Sequence, residues 1–338
     1  MRATAARGNP RAAVLLFRAF WLLALCAARG AWAAEDPFLP FMAQSACLDA
    51  RGAVQTGRLP FEPGCGRSRP LSAGESLPYR KHDWPGAADA AAQPRGYQAS
   101  DSLLGTLLGR PAVIQTFDFG GGRRVFSRLD PADGGQAVFV RDGAAASPMT
   151  QDGGDGVQWF QAPGCRPGEP DPGWLFAALP LSEAWQERVV RLNKTRGPGQ
   201  CPTAFSPSLT RWRAARIDLP WREAASGAVA AVSVKAIVSE HFGGAGVEGA
   251  DHLERFWFVR GLGLARWERW ENAAKSRLPG RDRMAAIITE SRRCPPIAFG
   301  APPAAGWQLV DCRTWTNMAR AAPGVPLAAL EWPEPGLR

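Results

Sequence analysis

Short runs in which apolar and polar residues alternate constrain the fold of this chain more than any other feature. A two-residue period sends neighbouring side chains to opposite faces of a β-strand, and such runs separated by glycine and aspartate turns are typical of an antiparallel meander. The alternating runs lie at 112–119, 124–129, 136–141, 157–161, 211–219, 230–241, 253–260 and 264–270. We therefore expect a mostly β fold, an antiparallel sandwich or curved sheet with one or two short helices.

The runs 253–260 and 264–270 form the clearest hairpin in the chain, because they flank the sequence Gly-Leu-Gly at 261–263. If these three residues form the loop, Trp257 faces Trp267 across the hairpin. Such a pair contributes about 0.5–1 kcal/mol more than two alanines. A two-residue loop would shift the register by one position.

Helices are expected at few places. In 181–192, apolar residues recur at helical spacing after Ser182, a suitable N-cap. A single helical turn is predicted at 102–108, and 283–291 suits either a helix or a strand. Residues 35–100 are rich in proline, glycine and alanine, which predicts an irregular N-terminal extension.

The first 34 residues have the composition of a secretory signal peptide. Arginines precede an uninterrupted apolar run at 19–28, which is shorter than the roughly 20 residues that span a bilayer. Small residues around Ala33 suit cleavage; an uncleaved N-terminal anchor is the alternative. We expect 1–34 to be removed and 35–338 to form a single disulfide-stapled domain, periplasmic or secreted, with no stable membrane span after processing.

Six cysteines remain after residue 34, and an even number in an exported chain favours disulfides. Sequential pairing is preferred because each bridge would close a segment with little structure of its own. The expected bridges are Cys47–Cys65, Cys165–Cys201 and Cys294–Cys312. The sequence has no Cys-x-x-Cys pair and no Cys/His clustering, so no metal site is assigned to the cysteines.

The charge of the chain argues against nucleic acid as a partner. The formal net charge is +9, but five arginines and no acid lie in the first 34 residues, which leaves +4 for the mature chain. No basic stripe or RNA-binding motif accompanies this modest excess. No cofactor is expected, and no pattern indicates the oligomeric state.

Tryptophan is unusually frequent, with 14 residues against two tyrosines. Its large apolar face and single N–H donor suit a sheet core, and they equally suit a platform on which sugar rings stack. The tryptophans of the hairpin stand beside arginine and glutamate side chains that could bond hydroxyl groups. The candidate ligand-binding residues are Trp257, Arg266, Trp267, Glu268 and Trp270. Core packing and surface ion pairs are the alternatives.

Two of the three histidines bracket one glycine-rich loop. In an antiparallel hairpin, His241 and His252 would lie close together at the base of this loop, with Asp251 beside them. A carboxylate and a histidine in a cleft can serve as general acid and base. The candidate catalytic residues are Glu240, His241, His252 and Glu254. Since Glu240 and His241 are neighbours on a strand, they must point to opposite faces.

Other interpretations of this loop stay open. Two histidines and a carboxylate could hold a divalent metal, and polar residues at a solvated hairpin end need no function at all.

The features together favour an exported binding or accessory protein of the cell envelope, with carbohydrate as the preferred ligand. A periplasmic or secreted hydrolase with a Glu/His pair in 240–254 is the alternative, and a structural envelope protein without a small ligand is the third hypothesis.

Overall fold

A large mixed sheet dominates the computed structural model of the protein. The structure describes residues 36–84, 99–107, 110–116, 136–141, 145–153, 156–160, 174–192, 195, 206–291 and 294–321. Contacts divide the chain into two units, Met1–Pro37 and Phe38–Arg338, and the sheet belongs to the second. The predicted signal peptide, the strand at 124–129 and the pair Cys165–Cys201 lie outside the described residues.

The described secondary structure is 52% strand and 7% helix, which confirms the predicted mostly β fold class. The strands are β1 (Ser45–Leu48), β2 (Arg67–Pro70), β3 (Tyr79–His82), β4 (Ala99–Leu107), β5 (Arg110–Thr116), β6 (Gln136–Arg141), β7 (Ala145–Gly153), β8 (Gly156–Trp159), β9 (Ala177–Ala178), β10 (Gln186–Leu192), β11 (Ser206–Glu223), β12 (Val229–Phe242), β13 (His252–Val259), β14 (Gly263–Asn272), β15 (Trp307–Thr314) and β16 (Asn317–Arg320). The helices are α1 (Leu39–Met42) and α2 (Arg281–Ser291). Neither described helix is long and apolar enough to cross a membrane.

The strand order of the large sheet is β15-β14-β13-β12-β11-β16-β3-β4-β5-β6-β7-β8. Strand β10 pairs with β11 and β9 pairs with β7, while β1 and β2 form a separate two-stranded sheet. Of the described pairs, β11 with β16 is parallel and the others are antiparallel. The long strands β11 to β14 carry the candidate site.

Residues 236–242 of β12, 253–259 of β13 and 263–271 of β14 are buried on both faces of the sheet, apart from Glu254 and Arg269, and we call these faces the front face and the rear face. The front face carries Ile237, Phe256 and Phe258, which pack in one apolar cluster with Phe176. The rear face carries Val238, Trp257 and Val259, which belong to a second apolar cluster. Each buried aromatic or branched side chain stabilises the fold by roughly 1.5–3 kcal/mol. The unbroken apolar runs 236–238 and 256–259 fit strands that are covered on both faces.

The prediction of a helix over 181–192 is wrong, because the segment contributes strand β10 instead. Residues Gln186–Leu192 pair antiparallel with Ser206–Trp212 of β11. Val190 is buried, whereas Val189, which the helical pattern places on the buried face, is 51% exposed. A neighbouring strand therefore outweighed the local helical preference. The helical turn predicted at 102–108 is likewise wrong, because these residues lie in β4 up to Leu107.

The remaining predictions concern the segments 283–291 and 35–100 and the pairing of the cysteines. The ambiguous segment 283–291 is part of helix α2. The segment 35–100 is less irregular than expected, because it contains α1 and the strands β1 to β3, and β3 inserts into the large sheet between β16 and β4. The disulfides Cys47–Cys65 and Cys294–Cys312 are both formed, in agreement with the predicted sequential pairing.

The predicted hairpin of β13 and β14 is confirmed, but its predicted register is wrong by one residue. Phe256 pairs with Trp267, and Trp257 pairs with Arg266. Val259 pairs with Gly263, so the loop starts one residue earlier than predicted, and a bulge then shifts the register after Phe258. Because a shift of one residue sends every side chain to the other face, Trp257 and Trp267 lie on opposite sides of the sheet.

A buried lysine joins β3 to the start of β14. Lys81 is fully buried, and its Nζ donates hydrogen bonds to the carbonyl oxygens of Leu262 and, at 2.8 Å, Leu264. Burial lowers the pKa of Lys81 to about 7, although the nearby Asp101 carboxylate opposes this shift. The folded state therefore releases a proton that the unfolded chain keeps until about pH 10.4.

We expect the free energy of unfolding to rise between pH 7 and pH 9.5 because of Lys81. In this window the unfolded chain binds the proton that the folded state has lost, so stability increases with pH by at most about 1.4 kcal/mol per pH unit. In Lys81→Met this slope should largely disappear in urea denaturation series. The exposed Lys235 provides the control, and an equal slope in Lys81→Met and Lys235→Met would contradict the prediction.

Candidate ligand-binding cavity

A cavity of about 470 Å³ opens on the front face, where the chain turns from the end of β12 into the start of β13. Its size lies within the range of small-molecule sites in proteins. The side chains on which its chemistry depends are Trp174, His241, Asp251, His252, Glu254 and Arg269. The structure thus brings together three of the four predicted catalytic residues, and it adds an aromatic wall that the sequence did not indicate.

His241 is the most deeply buried titratable group of the cavity. It is 3% exposed, and its ring lies between Trp174, Phe176 and Phe256 at centroid distances of 4.7, 5.2 and 5.1 Å. Burial holds the pKa of His241 well below its ordinary value. The imidazole is therefore neutral at physiological pH, with one nitrogen protonated and the other an acceptor.

The hydrogen bonds around His241 determine which nitrogen carries the proton. The Ser239 hydroxyl donates to the carbonyl oxygen of Phe176 at 2.6 Å and lies 2.7 Å from Nε2 of His241. Since a hydroxyl has only one proton to donate, Nε2 must donate to Ser239 Oγ. Nδ1 is then an acceptor, and it has no hydrogen-bond partner among the described residues.

His252 and Asp251 form a more exposed pair at the mouth of the cavity. Nδ1 of His252 lies 2.6 Å from Oδ1 of Asp251. The pair packs directly over Gly243, where a Cβ atom would lie 2.4 Å from Cε1 of His252 and 2.5 Å from the Asp251 carboxylate. The absence of a side chain at position 243 therefore creates the room that the pair occupies.

Glu254 and Arg269 complete the polar side of the cavity. Glu254 pairs with His241 on one neighbouring strand and with Arg269 on the other, so the three side chains share the front face. Nε of Arg269 donates to Glu271 at 2.7 Å. Burial alone would lower the pKa of Arg269. The nearby carboxylates of Glu254, Glu271 and Asp251 have the larger combined effect, so the pKa is raised above its ordinary value.

Glu240 does not reach the cavity, because it points to the rear face, as the alternation of the strand requires. There it accepts hydrogen bonds from Arg211 and, at 2.6 Å, from Arg255. Nη1 of Arg255 also donates to Glu268 at 3.1 Å, and Arg266 donates to the same carboxylate at 2.9 Å. These five side chains form a continuous ion-pair network on the rear face.

The predicted ligand-binding residues are mostly parts of this network or of the core around it. Trp257 and Glu268 are 0% exposed and Arg266 is 3% exposed. Nε1 of Trp270 donates to Glu268 at 2.8 Å, while Trp267 belongs to the apolar cluster of the front face. None of these five residues lines the front-face cavity, so they form no part of the site that the described residues build.

Trp174 and Phe160 are the wall residues that sequence reasoning missed. Their rings pack at a centroid distance of 4.9 Å. Phe160 lies in the short alternating run 157–161 and Trp174 lies in none, and neither position carries a sequence signal that it meets the β12–β13 turn. Of the described residues, no three His, Cys, Asp or Glu side chains are grouped to hold a metal ion.

We expect Glu268→Gln to lower the free energy of unfolding by roughly 3–5 kcal/mol, because it leaves two buried guanidinium groups beside a neutral amide. Urea denaturation measures this loss. Glu290 is exposed on α2 and serves as the control, since Glu290→Gln should change stability by less than about 0.5 kcal/mol. A loss below 1 kcal/mol in Glu268→Gln, on the order of a surface ion pair, would show that the network is not tightly coupled.

We expect Gly243→Ala to separate His252 from Asp251 without unfolding the protein, because the atoms that the new Cβ would meet are the ends of side chains. NMR of the three histidine rings can follow this, and the His252 signals should move while those of His82 stay. Gly246 lies in the same turn with no atom within 4 Å of a built Cβ, so Gly246→Ala is the control. Identical His252 signals in both variants would refute the close packing.

Comparisons with known proteins add no function to this geometry. No protein-family model, no curated protein and no solved structure matches the chain. The role of the cavity is therefore inferred from its own side chains.

Proposed function

We propose that the chain is an exported cell-envelope protein that binds a carbohydrate in the front-face cavity. One observation carries this proposal: the described lining of the cavity combines aromatic side chains with polar and charged ones. A sugar ring presents an apolar C–H face and a rim of hydroxyls, so it needs both kinds of surface at once. Trp174 offers the first, and the carboxylates of Asp251 and Glu254 offer the second.

The covalent structure supports a location outside the cytoplasm. Disulfides such as Cys47–Cys65 and Cys294–Cys312 persist in oxidising compartments, and reducing thiols keep them rare in the cytosol. This agrees with the N-terminal sequence, whose short apolar run is typical of a secretory signal peptide. The proposed compartment is the periplasm or the extracellular medium.

Tryptophan fluorescence and calorimetry with cell-wall and soluble oligosaccharides test the proposal. We expect at least one sugar to change the emission, because Trp174 lines the cavity. Trp174→Phe should lose most of this change and weaken binding by about 2- to 10-fold. Trp185 lies outside the cavity, beside Arg211, so Trp185→Phe should keep both. The absence of binding to every sugar at millimolar concentration would contradict the proposal.

A hydrolase is the second candidate, and the contact of 2.6 Å between His252 and Asp251 favours it. A carboxylate that orients a histidine is a common arrangement for a general base. His252 would take a proton from water as the water attacks the substrate, and Glu254 would donate a proton to the leaving oxygen. Chromatography of the same sugars after incubation decides between the two, since a binding protein returns them intact and a hydrolase shortens them.

A further inference from the structure

The described lining of the cavity contains several acceptors beside the donors of Arg269, His252 and Ser206. The proton of the Ser239 hydroxyl goes to Phe176, which leaves Nδ1 of His241 as a buried acceptor without a described partner. The carboxylates of Asp251 and Glu254 accept as well. A ligand that satisfies these groups therefore has to bring donors, and a group with several N–H or O–H bonds does so best.

The charges of the cavity also favour a cation. Asp251 and Glu254 contribute two negative charges to the described lining, and Arg269 contributes the positive one. The guanidinium of Arg269 already donates to Glu271, a carboxylate outside the lining. Asp251, Glu254, Glu271 and Arg269 together carry three carboxylates and one cation. His252, whose Nδ1 lies 2.6 Å from Oδ1 of Asp251, adds a positive charge only when it is protonated, so the sum over these described groups is negative in either state. His241 adds nothing to the charge, because burial keeps its imidazole neutral.

The described charged groups of the neighbouring elements β10 and β11 and of the turn do not line the cavity. Arg211 of β11 points to the rear face, where it donates to Glu240. Arg188 of β10 pairs with Thr210 in the front-face register, but it is exposed and does not line the cavity. Lys275 donates to the carbonyl oxygen of Glu248, on the outer side of the turn.

The aromatic wall is compatible with a cation as well. An ammonium group close to an indole face gains about 0.5–2 kcal/mol through the quadrupole of the ring. Trp174 lies 4.7 Å from His241 between ring centroids, so the indole and the buried acceptor are neighbours. A positively charged group could thus contact the indole and the carboxylates at the same time.

We infer that the cavity selects carbohydrates with a free ammonium group, that is, amino sugars, over neutral or acidic sugars. This inference rests on the proposed carbohydrate binding and specifies its ligand class. An amino sugar combines the ring that the wall accommodates with a donor that carries three N–H bonds and a positive charge. An acidic sugar would place a carboxylate next to Asp251 and Glu254, where like charges repel.

Calorimetry with four disaccharides tests the inference on the full chain. The probes are the glucosamine disaccharide, its N,N′-diacetylated form, cellobiose and digalacturonate. We expect the glucosamine disaccharide to bind about tenfold more tightly than the acetylated form. Added salt should reduce this advantage, because salt screens the attraction between the ammonium and the carboxylates.

Variants that remove one carboxylate charge at a time test which side chains cause the preference for the amino sugar. In Glu254→Gln and in Asp251→Asn, the affinity ratio of the amino sugar to the acetylated sugar should fall to less than about threefold. Glu248 is an exposed carboxylate of the same turn outside the lining, so Glu248→Gln should keep the full ratio. A ratio that stays at about tenfold in both cavity variants would overturn the assignment of these carboxylates.

The outcomes separate the two proposals. Equal or tighter binding of cellobiose, the acetylated sugar or digalacturonate would overturn the selection for ammonium and leave carbohydrate binding in place. The absence of binding to all four probes, and to the wider panel of oligosaccharides, would overturn both. Preferential binding of the glucosamine disaccharide that depends on Glu254 and Asp251 would support both.

Discussion

Where β12, β13 and β14 pair, both faces of the sheet are buried apart from Glu254 and Arg269, and most other features of the structure follow from this. A strand sends successive side chains to opposite sides, so a polar residue in these strands must find its partner on the face to which it points. Glu240 and His241 show the consequence. The first is neutralised by arginines on the rear face, and the second is held neutral by aromatic rings on the front face.

On the rear face, nearly every N–H donor of the buried charged side chains has a hydrogen-bond acceptor within the protein. The segment after α2 contributes two of these acceptors, because Nη1 of Arg266 donates to the carbonyl oxygen of Pro295 at 2.6 Å and Nε1 of Trp257 donates to that of Ala298 at 3.2 Å. The disulfide Cys294–Cys312 ties the same segment to β15. This disulfide fixes the segment that packs over the ion-pair network. Without the segment Arg266 would lose an acceptor, and an unpaired buried charge lowers the stability of the fold.

The front face has the opposite character at its open end. The long strands end there in a turn of small residues, and Gly243 leaves room for the pair of His252 and Asp251. The buried acceptor of His241 remains without a described partner, in contrast to the well-satisfied groups of the rear face. Unsatisfied buried groups in a cavity are where a ligand gains most, because the protein has already lost their hydration.

Local alternation and the short spacing of the cysteines were enough to predict the fold class, two of the disulfides and the hairpin of β13 and β14. The alternation of a strand also placed Glu240 and His241 on opposite faces. Pairing and packing with distant segments made 181–192 contribute a strand, buried the tryptophans of the hairpin in the core and brought Trp174 next to His241. These depend on contacts between segments distant in the sequence, and such contacts leave no periodic signal in either partner.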